Sequence, residues 1–383
     1  MFNDKRLIKL TQDLIRIDSQ NPPGNEKKIA LFIKKLFLKS GLRTRLIEFG
    51  KNRFNTITVL KGKSSKVSLL LTPHLDTVPV GRGWSFSPLS AKIHKNKIYG
   101  RGATDCKCNL AVGLEVLRSL CEENIKLNFD VIFAATADEE AGSFQGLIPL
   151  LERKIIRPNY ALILDANEFN IIIAQKGLIH IKVGISGKQA HGAYPDRGVN
   201  AIDIVAELVD KIKKIKFPYK KHKLLNPPTI NVGTIRGGDK VNMVADWCEF
   251  ELDVRYLPGM NKKEVIKIIK DTIRKKVSKF KFEITASQAP CEIDPEHILV
   301  RSLKKTYSKV VNKYRLKGSQ GATVMTFFDK HNIPSVATGF GSTGCAHTTD
   351  EYVRVNNLIK GYYALRDFLL KFDKYLAKNR YRD

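Results

Sequence analysis

The sequence predicts an α/β protein: a sheet covered by helices on both faces, with a second, smaller βαββαβ portion set into the chain. Three observations predict it. Short unbroken apolar runs, VSLLLT (67–72), FDVIFAAT (129–136), YALIL (160–164) and IPSVAT (333–338), have the length of strands buried on both sides. Stretches with helical character separate them, as at 109–122. Between 177 and 289 the pattern runs strand, helix, two strands, helix, strand, from LIHIKVGI (178–185) to FKFEITAS (280–287), which is the order of a βαββαβ sandwich.

Taken in order, the first 50 residues read as two amphipathic helices, about 4–17 and 26–40, parted by the breaker NPPGN at 21–25. The apolar runs follow. A chain of 383 residues that is 43% hydrophobic can build two cores, and the expected division is 1–176, 177–289 and 290–383, the middle piece being an insertion. The N-terminus carries charges throughout and lacks the apolar core of a signal peptide, and no run is long enough to span a bilayer. A soluble cytoplasmic protein without a membrane partner is expected.

Lys and Arg total 66 against 38 Asp and Glu, a net charge of +28. Much of this excess lies in helix-like stretches such as KKEVIKIIKDTIRKKVSKFK (262–281), where Val265, Ile266, Ile268, Ile269, Ile273 and Val277 form one stripe and lysines fill the other face. A solvated face explains that pattern. No RNA-binding motif or interleaved aromatic platform accompanies it, so nucleic acid is not the expected partner. The six cysteines (Cys106, Cys108, Cys121, Cys248, Cys291, Cys345) lack paired CxxC spacings and read as reduced thiols, with metal binding by Cys106 and Cys108, which bracket Lys107, as the minor alternative.

Each apolar run stops at residues able to do metal or acid–base chemistry. VSLLLT leads to His74 and Asp76, FDVIFAAT to Glu139 and Glu140, YALIL to Asp165, and IPSVAT through GFGSTG to His347. In open α/β sheets ligands bind beyond the carboxyl ends of the strands, where all four groups fall. His74 and Asp76 are two residues apart and point to one side of an extended chain, so the acid either ligates a metal or holds the ring by its second nitrogen; the second role is favoured. The adjacent acids 139 and 140 cannot point the same way, which suits one metal ligand and one general base. Desolvating such a pair after a buried strand is costly without a cation. Asp105 closes the glycine-rich loop YGRGATD (99–105) and becomes informative only beside the other clusters, where it could bridge two metals.

These residues resemble the co-catalytic metallopeptidase family that includes aminoacylase, acetylornithine deacetylase, succinyl-diaminopimelate desuccinylase and carboxypeptidase G. The resemblance is carried by SQNPPGNE (19–26), HLDTVP (74–79), YGRGATDCK (99–107), ADEEAGS (137–143), LDAN (164–167), GKQAHGAYPDRGVNAI (187–202), DVRYLPG (253–259) and HTTDEYV (347–353). It implies a zinc-peptidase-like domain with a mixed, largely parallel sheet, and an inserted ferredoxin-like lid through which the family usually forms homodimers. It also implies two divalent ions bridged by Asp105, one held by His74 and Asp165, the other by Glu140 and His347. Zinc is the first choice, with cobalt or manganese suited to the same donors. By the same resemblance Asp76 orients His74, and Glu139 takes a proton from water and passes it to the leaving amine. His191 is then the lid histidine that stabilises the oxyanion, while Arg255 and Asn242 bind the substrate carboxylate.

The sequence departs from the family at two places. Cys108 stands where glycine is usual, and Val324 and Met325 in GSQGATVMTFF (318–328) occupy positions where the biosynthetic deacylases usually show an aspartate and a basic or small residue. Asp165 is the shorter of the two acids the family uses there, aspartate being known among some peptidases. The leading reading is a deacylase of small N-acyl amino acids. A dipeptidase or carboxypeptidase with the same dinuclear site is the alternative, and a basic binding protein that kept only the fold is the third.

Overall fold

A computed structural model describes residues 3–311 and 313–379. In chain order the elements are α1 (Asp4–Arg16), α2 (Lys27–Lys39), β1 (Thr44–Gly50), β2 (Arg53–Leu60), β3 (Ser68–Thr72), β4 (Lys92–His94), β5 (Lys97–Tyr99), α3 (Lys107–Glu122) and β6 (Asp130–Ala135). Next come α4 (Leu147–Glu152), β7 (Tyr160–Leu164), β8 (Ile171–Gln175), β9 (Gly177–Ser186), α5 (Ala201–Lys213), β10 (Thr229–Gly237), β11 (Trp247–Tyr256), α6 (Lys262–Arg274) and β12 (Lys281–Gln288). The chain closes with β13 (Cys291–Glu292), α7 (Ile298–Val310), β14 (Leu316–Ser319), α8 (Met325–Asp329), β15 (Ser335–Thr338), β16 (Tyr352–Arg354) and α9 (Val355–Asn379). It divides into two compact units, Met1–Ile173 with Ile293–Lys317 and Phe327–Asp383, and Ala174–Glu292 with Gly318–Thr326.

In the first unit the strands run in the order β1-β2-β6-β3-β7-β15-β8. Four neighbours, β6, β3, β7 and β15, are mutually parallel. The outer strands β1, β2 and β8 pair antiparallel, so the sheet is mixed. Leu69, Leu70 and Leu71 of β3 are fully buried, as are Val131 and Phe133 of β6, which is why these strands read as unbroken apolar runs rather than alternating ones. Four parallel strands side by side must present their carboxyl ends at one edge. The loops that carry the acids and histidines therefore share that edge.

Helix α3 is buried along most of its length and lies against α1 and α9. Its Gly113 lets the helix approach β6, because a Cβ there would meet Phe133 Cε2 at 2.6 Å.

The second unit contains β9, α5, β10, β11, α6 and β12, a βαββαβ order, in an antiparallel sheet ordered β10-β11-β9-β12. Its core joins Ile179, Ile181 and Val183 of β9 and Phe250 and Leu252 of β11 to Val205 and Leu208 of α5 and Ile269 and Ile273 of α6. Helix α6 ends at Arg274, short of the stripe expected over 262–281, because the chain turns at Lys275–Val277 to enter β12 at Lys281. Helix α5 is capped by Asn200, whose side chain accepts a hydrogen bond from the Ile202 amide at 2.9 Å. Replacing Asn200 with alanine should cost about 1 kcal/mol in urea unfolding, the usual loss of a helix cap. An unchanged midpoint would show the cap to be dispensable.

Residues 318–326 fall in this unit because the Gln175 side chain accepts from the Thr323 amide and hydroxyl, and Lys176 donates its amide to Ser319. Val324 and Met325 are buried there and fill packing space.

Candidate metal centre

The loop after β3 places His74 fully inside the protein. Its Nδ1 lies 3.0 Å from the main-chain oxygen of Asp76 and 3.6 Å from that residue's carboxylate, so the carbonyl is the closer acceptor. With Nδ1–H donated there, Nε2 is the nitrogen turned toward the acids, as in a metal-binding tautomer. Nε2 stands 3.0 Å from Asp105 Oδ1 and 3.8 Å from Asp165 Oδ1. On the other side, His347 Nε2 lies 3.2 Å from Asp105 Oδ2 and 3.2 Å from Glu140 Oε1. Asp105 thus turns one oxygen toward each histidine.

The glycine-rich approach to His347 is a packing requirement. A Cβ on Gly339 would sit 2.0 Å from the carbonyl oxygen of Ala166. His347 itself adopts φ 61°, and Asp138, before the two glutamates, adopts φ 65°. Such left-handed residues are costly and tend to persist where surrounding contacts enforce them, often at functional sites.

The donor set suits divalent cations. Asp76, Asp105, Glu139, Glu140 and Asp165 gather around two histidines, which leaves the pocket short of positive charge. Burial and the neighbouring charges of Asp165, Glu140 and Asp105 push Glu139 well above the usual carboxylate range. Burial and Asp105 push Asp165 up to about 7. Hydrogen bonds to Asp105 and Glu140 raise His347 to about 10. Burial alone would raise Asp105 as well, but hydrogen bonds with His347 and His74 draw it far below. Ligand atoms of His74, Asp105 and Glu140 lie within 4.8 Å of one another, as do those of His74, Cys106 and Asp165. Imidazole nitrogen and carboxylate oxygen are the donors zinc, cobalt and manganese accept.

Two buried carboxylates hold the frame by its backbone. Asp76 accepts the amides of Glu139 and Glu140 at 3.1 and 3.2 Å. Glu351 accepts the amides of Gly102, Thr104 and Asp105 and the Arg101 guanidinium at 2.8–3.0 Å. The role of Glu351 is not evident from sequence; the signal available is an acid four residues past His347 in HTTDE. Cys108 donates its thiol to the Thr104 carbonyl and tightens the same loop. Cys106 is the thiol nearer the donors, with its sulfur 3.2 Å from the His74 amide.

His191, Asn242 and Arg255 lie in the second unit. His191 Nδ1 accepts the Ala193 amide at 3.0 Å, which stabilises the turn and leaves Nε2 as the ring's donor. With Asn242, Gln189, Lys240 and Met243 it lines an open depression of about 460 Å³. Arg255 is committed to Asp253 through Nε and Nη2 at 2.6 and 2.8 Å.

Among known proteins, residues 70–371 match the peptidase family M20/M25/M40. An acetylornithine deacetylase from Salmonella paratyphi B is 32% identical over 317 residues, 79% of either chain. The fold resembles aminopeptidase PepT from Bacillus cereus, with TM-score 0.79 and 24% identity over 97% of this chain and 99% of that one. It also resembles a dinuclear metal-binding M20 peptidase from Bacillus subtilis, with TM-score 0.75 and 13% identity over 96% and 98% of the two chains. The family match runs through every donor position from His74 to His347, and the chain therefore belongs to the M20/M25/M40 peptidase family, as a metal-dependent hydrolase of amide C–N bonds.

Proposed function

We propose that the chain removes the acyl group from small N-acyl amino acids, using two divalent ions, zinc by preference. The observation that carries the dinuclear reading is Asp105, with Oδ1 facing His74 at 3.0 Å and Oδ2 facing His347 at 3.2 Å. One ion is assigned to His74, Asp105 and Asp165, the other to Asp105, Glu140 and His347. When bound, such a pair supplies Lewis acidity and makes a neighbouring water easier to deprotonate.

The remaining work falls to the protein. Glu139 takes the proton from the attacking water and returns it to the leaving amine nitrogen; it stands beside the ligand Glu140 on a turn whose amides Asp76 holds. His191 offers Nε2–H to the carbonyl oxygen as it gains charge in the tetrahedral stage. Asn242, lining the same depression, is the proposed contact for the substrate carboxylate. Arg255 shares this role only through Nη1, since Asp253 occupies the rest of its fork. The second reading, a dipeptidase or carboxypeptidase, is favoured by the short Asp165 at a donor position. We also read the second unit as the dimerisation element: Ile235 and Ile284 stand exposed on its sheet, and sedimentation of the purified protein tests for the dimer. No helix among the described residues is long and apolar enough to cross a membrane; a cytoplasmic enzyme is the proposal.

The deciding experiment is amine release from matched panels of N-acetyl, N-succinyl and N-formyl amino acids and simple dipeptides. Chelation should abolish turnover, and zinc, cobalt or manganese should restore it, on the N-acyl panel first. Preference for dipeptides would select the peptidase. Silence on every panel in a protein that holds no metal would favour the basic binding protein.

A further inference from the structure

Behind the glutamate pair lies a buried polar cluster that the proposed reaction leaves unused. Arg53, at the start of β2, is almost fully buried, and two buried acids, Glu26 and Asp138, face its guanidinium. Its Nη2 donates to Asp138 Oδ1 at 2.6 Å and lies 3.1 Å from Glu26 Oε1. Its Nη1 donates to Asn21 Oδ1 at 3.2 Å. Asn21, in the NPPGN segment, turns its amide the other way, donating to Asp76 Oδ2 at 2.9 Å and to Asp138 Oδ1 at 3.3 Å. Asp138 Oδ2 accepts the Gln145 amide at 2.9 Å.

We infer that Arg53, with Asn21, is a positioning residue that sets the Asp138–Glu140 turn and thereby the general base and one ion's carboxylate ligand. The inference rests on the dinuclear reading. Asp138 sits in the left-handed region immediately before Glu139, a conformation that needs external restraint. The guanidinium fork supplies it through a charge-assisted hydrogen bond. The amides of Glu139 and Glu140 are held by Asp76, and Asp76 is held by Asn21. The turn is thus gripped from both ends by one connected network. The other half of the centre is held by groups that neither the Arg53 nor the Asn21 side chain touches: His74 by the main-chain carbonyl of Asp76, Asp105 by Glu351. The effect of Arg53 should therefore be one-sided.

The test is zinc titration of the metal-free full-length protein against a chromophoric chelator, with His347→Ala marking the step that belongs to the Glu140 and His347 ion. Arg53→Met and Asn21→Ala should weaken that same step by roughly 10–100-fold, the size usual for groups that orient a ligand, and leave the other step in place. In both variants kcat should fall while KM changes little. Asn21→Ala keeps every charge of the cluster, so it decides the matter if Arg53→Met does not fold. Two steps weakened equally, or two steps unchanged, would overturn the inference while leaving the dinuclear reading intact. Fewer than two ions in the wild-type protein would sink that reading, and this inference with it.

Discussion

Replacing Glu139 with glutamine should lower kcat by about 10²–10⁴ while both ions remain bound, the range typical of a lost general acid–base. Glutamine has the same shape and keeps its backbone amide on Asp76, so the turn stays anchored. What disappears is the capacity to take a proton. The adjacent Glu140, 3.2 Å from His347, cannot take over, since its carboxylate is engaged toward the metal side. Steady-state kinetics together with elemental analysis of the purified variant check this. Near wild-type turnover would remove Glu139 from the mechanism, and loss of metal would mean that it is a ligand.

The largest stability effect should come from Glu351→Ala, at about 3–5 kcal/mol, because breaking a buried ion pair from one side strands the other charge. The Glu351 side chain is 0% exposed and that of Arg101 4%. The substitution would also orphan the amides of Gly102, Thr104 and Asp105. Burial pushes the Glu351 carboxyl up, and those amides and Arg101 draw it back. Urea unfolding of the metal-free protein measures the loss without a contribution from bound ions. Glu351→Gln, which keeps an acceptor oxygen for part of the set, should lose less. A loss below about 1 kcal/mol for the alanine variant, the size of an ordinary hydrogen bond, would show that the loop holds its shape by other means.

Much of this arrangement is legible before any coordinates. The runs ending at Thr72, Thr136, Leu164 and Thr338 announce buried strands because parallel strands covered on both faces must be apolar throughout. The structure places strands at Ser68–Thr72, Asp130–Ala135, Tyr160–Leu164 and Ser335–Thr338. Once those four are parallel neighbours, the proximity of His74, Glu139, Glu140, Asp165 and His347 follows from strand direction. The stripe over 262–281 misleads, because Val277 keeps helical spacing in a segment that has already turned toward β12. Helical periodicity reports which residues seek a core and does not report where the chain must turn.

The sequence by itself determined which residue types stand at the ends of the strands, and with them the class of chemistry: nitrogen and oxygen donors at the carboxyl edge of a parallel sheet. Only the tertiary structure decided how those donors are held. Asp76 turns its carbonyl to His74 and its carboxylate to two backbone amides, Glu351 gathers three amides 246–249 residues away, and Arg53 reaches across 85 residues to Asp138. Strand patterning is local, written in the burial of successive side chains, whereas hydrogen bonds to backbone amides leave no mark on the sequence of the residues that donate them. The anchors appear only when the folded chain brings each buried carboxylate to the loop it restrains.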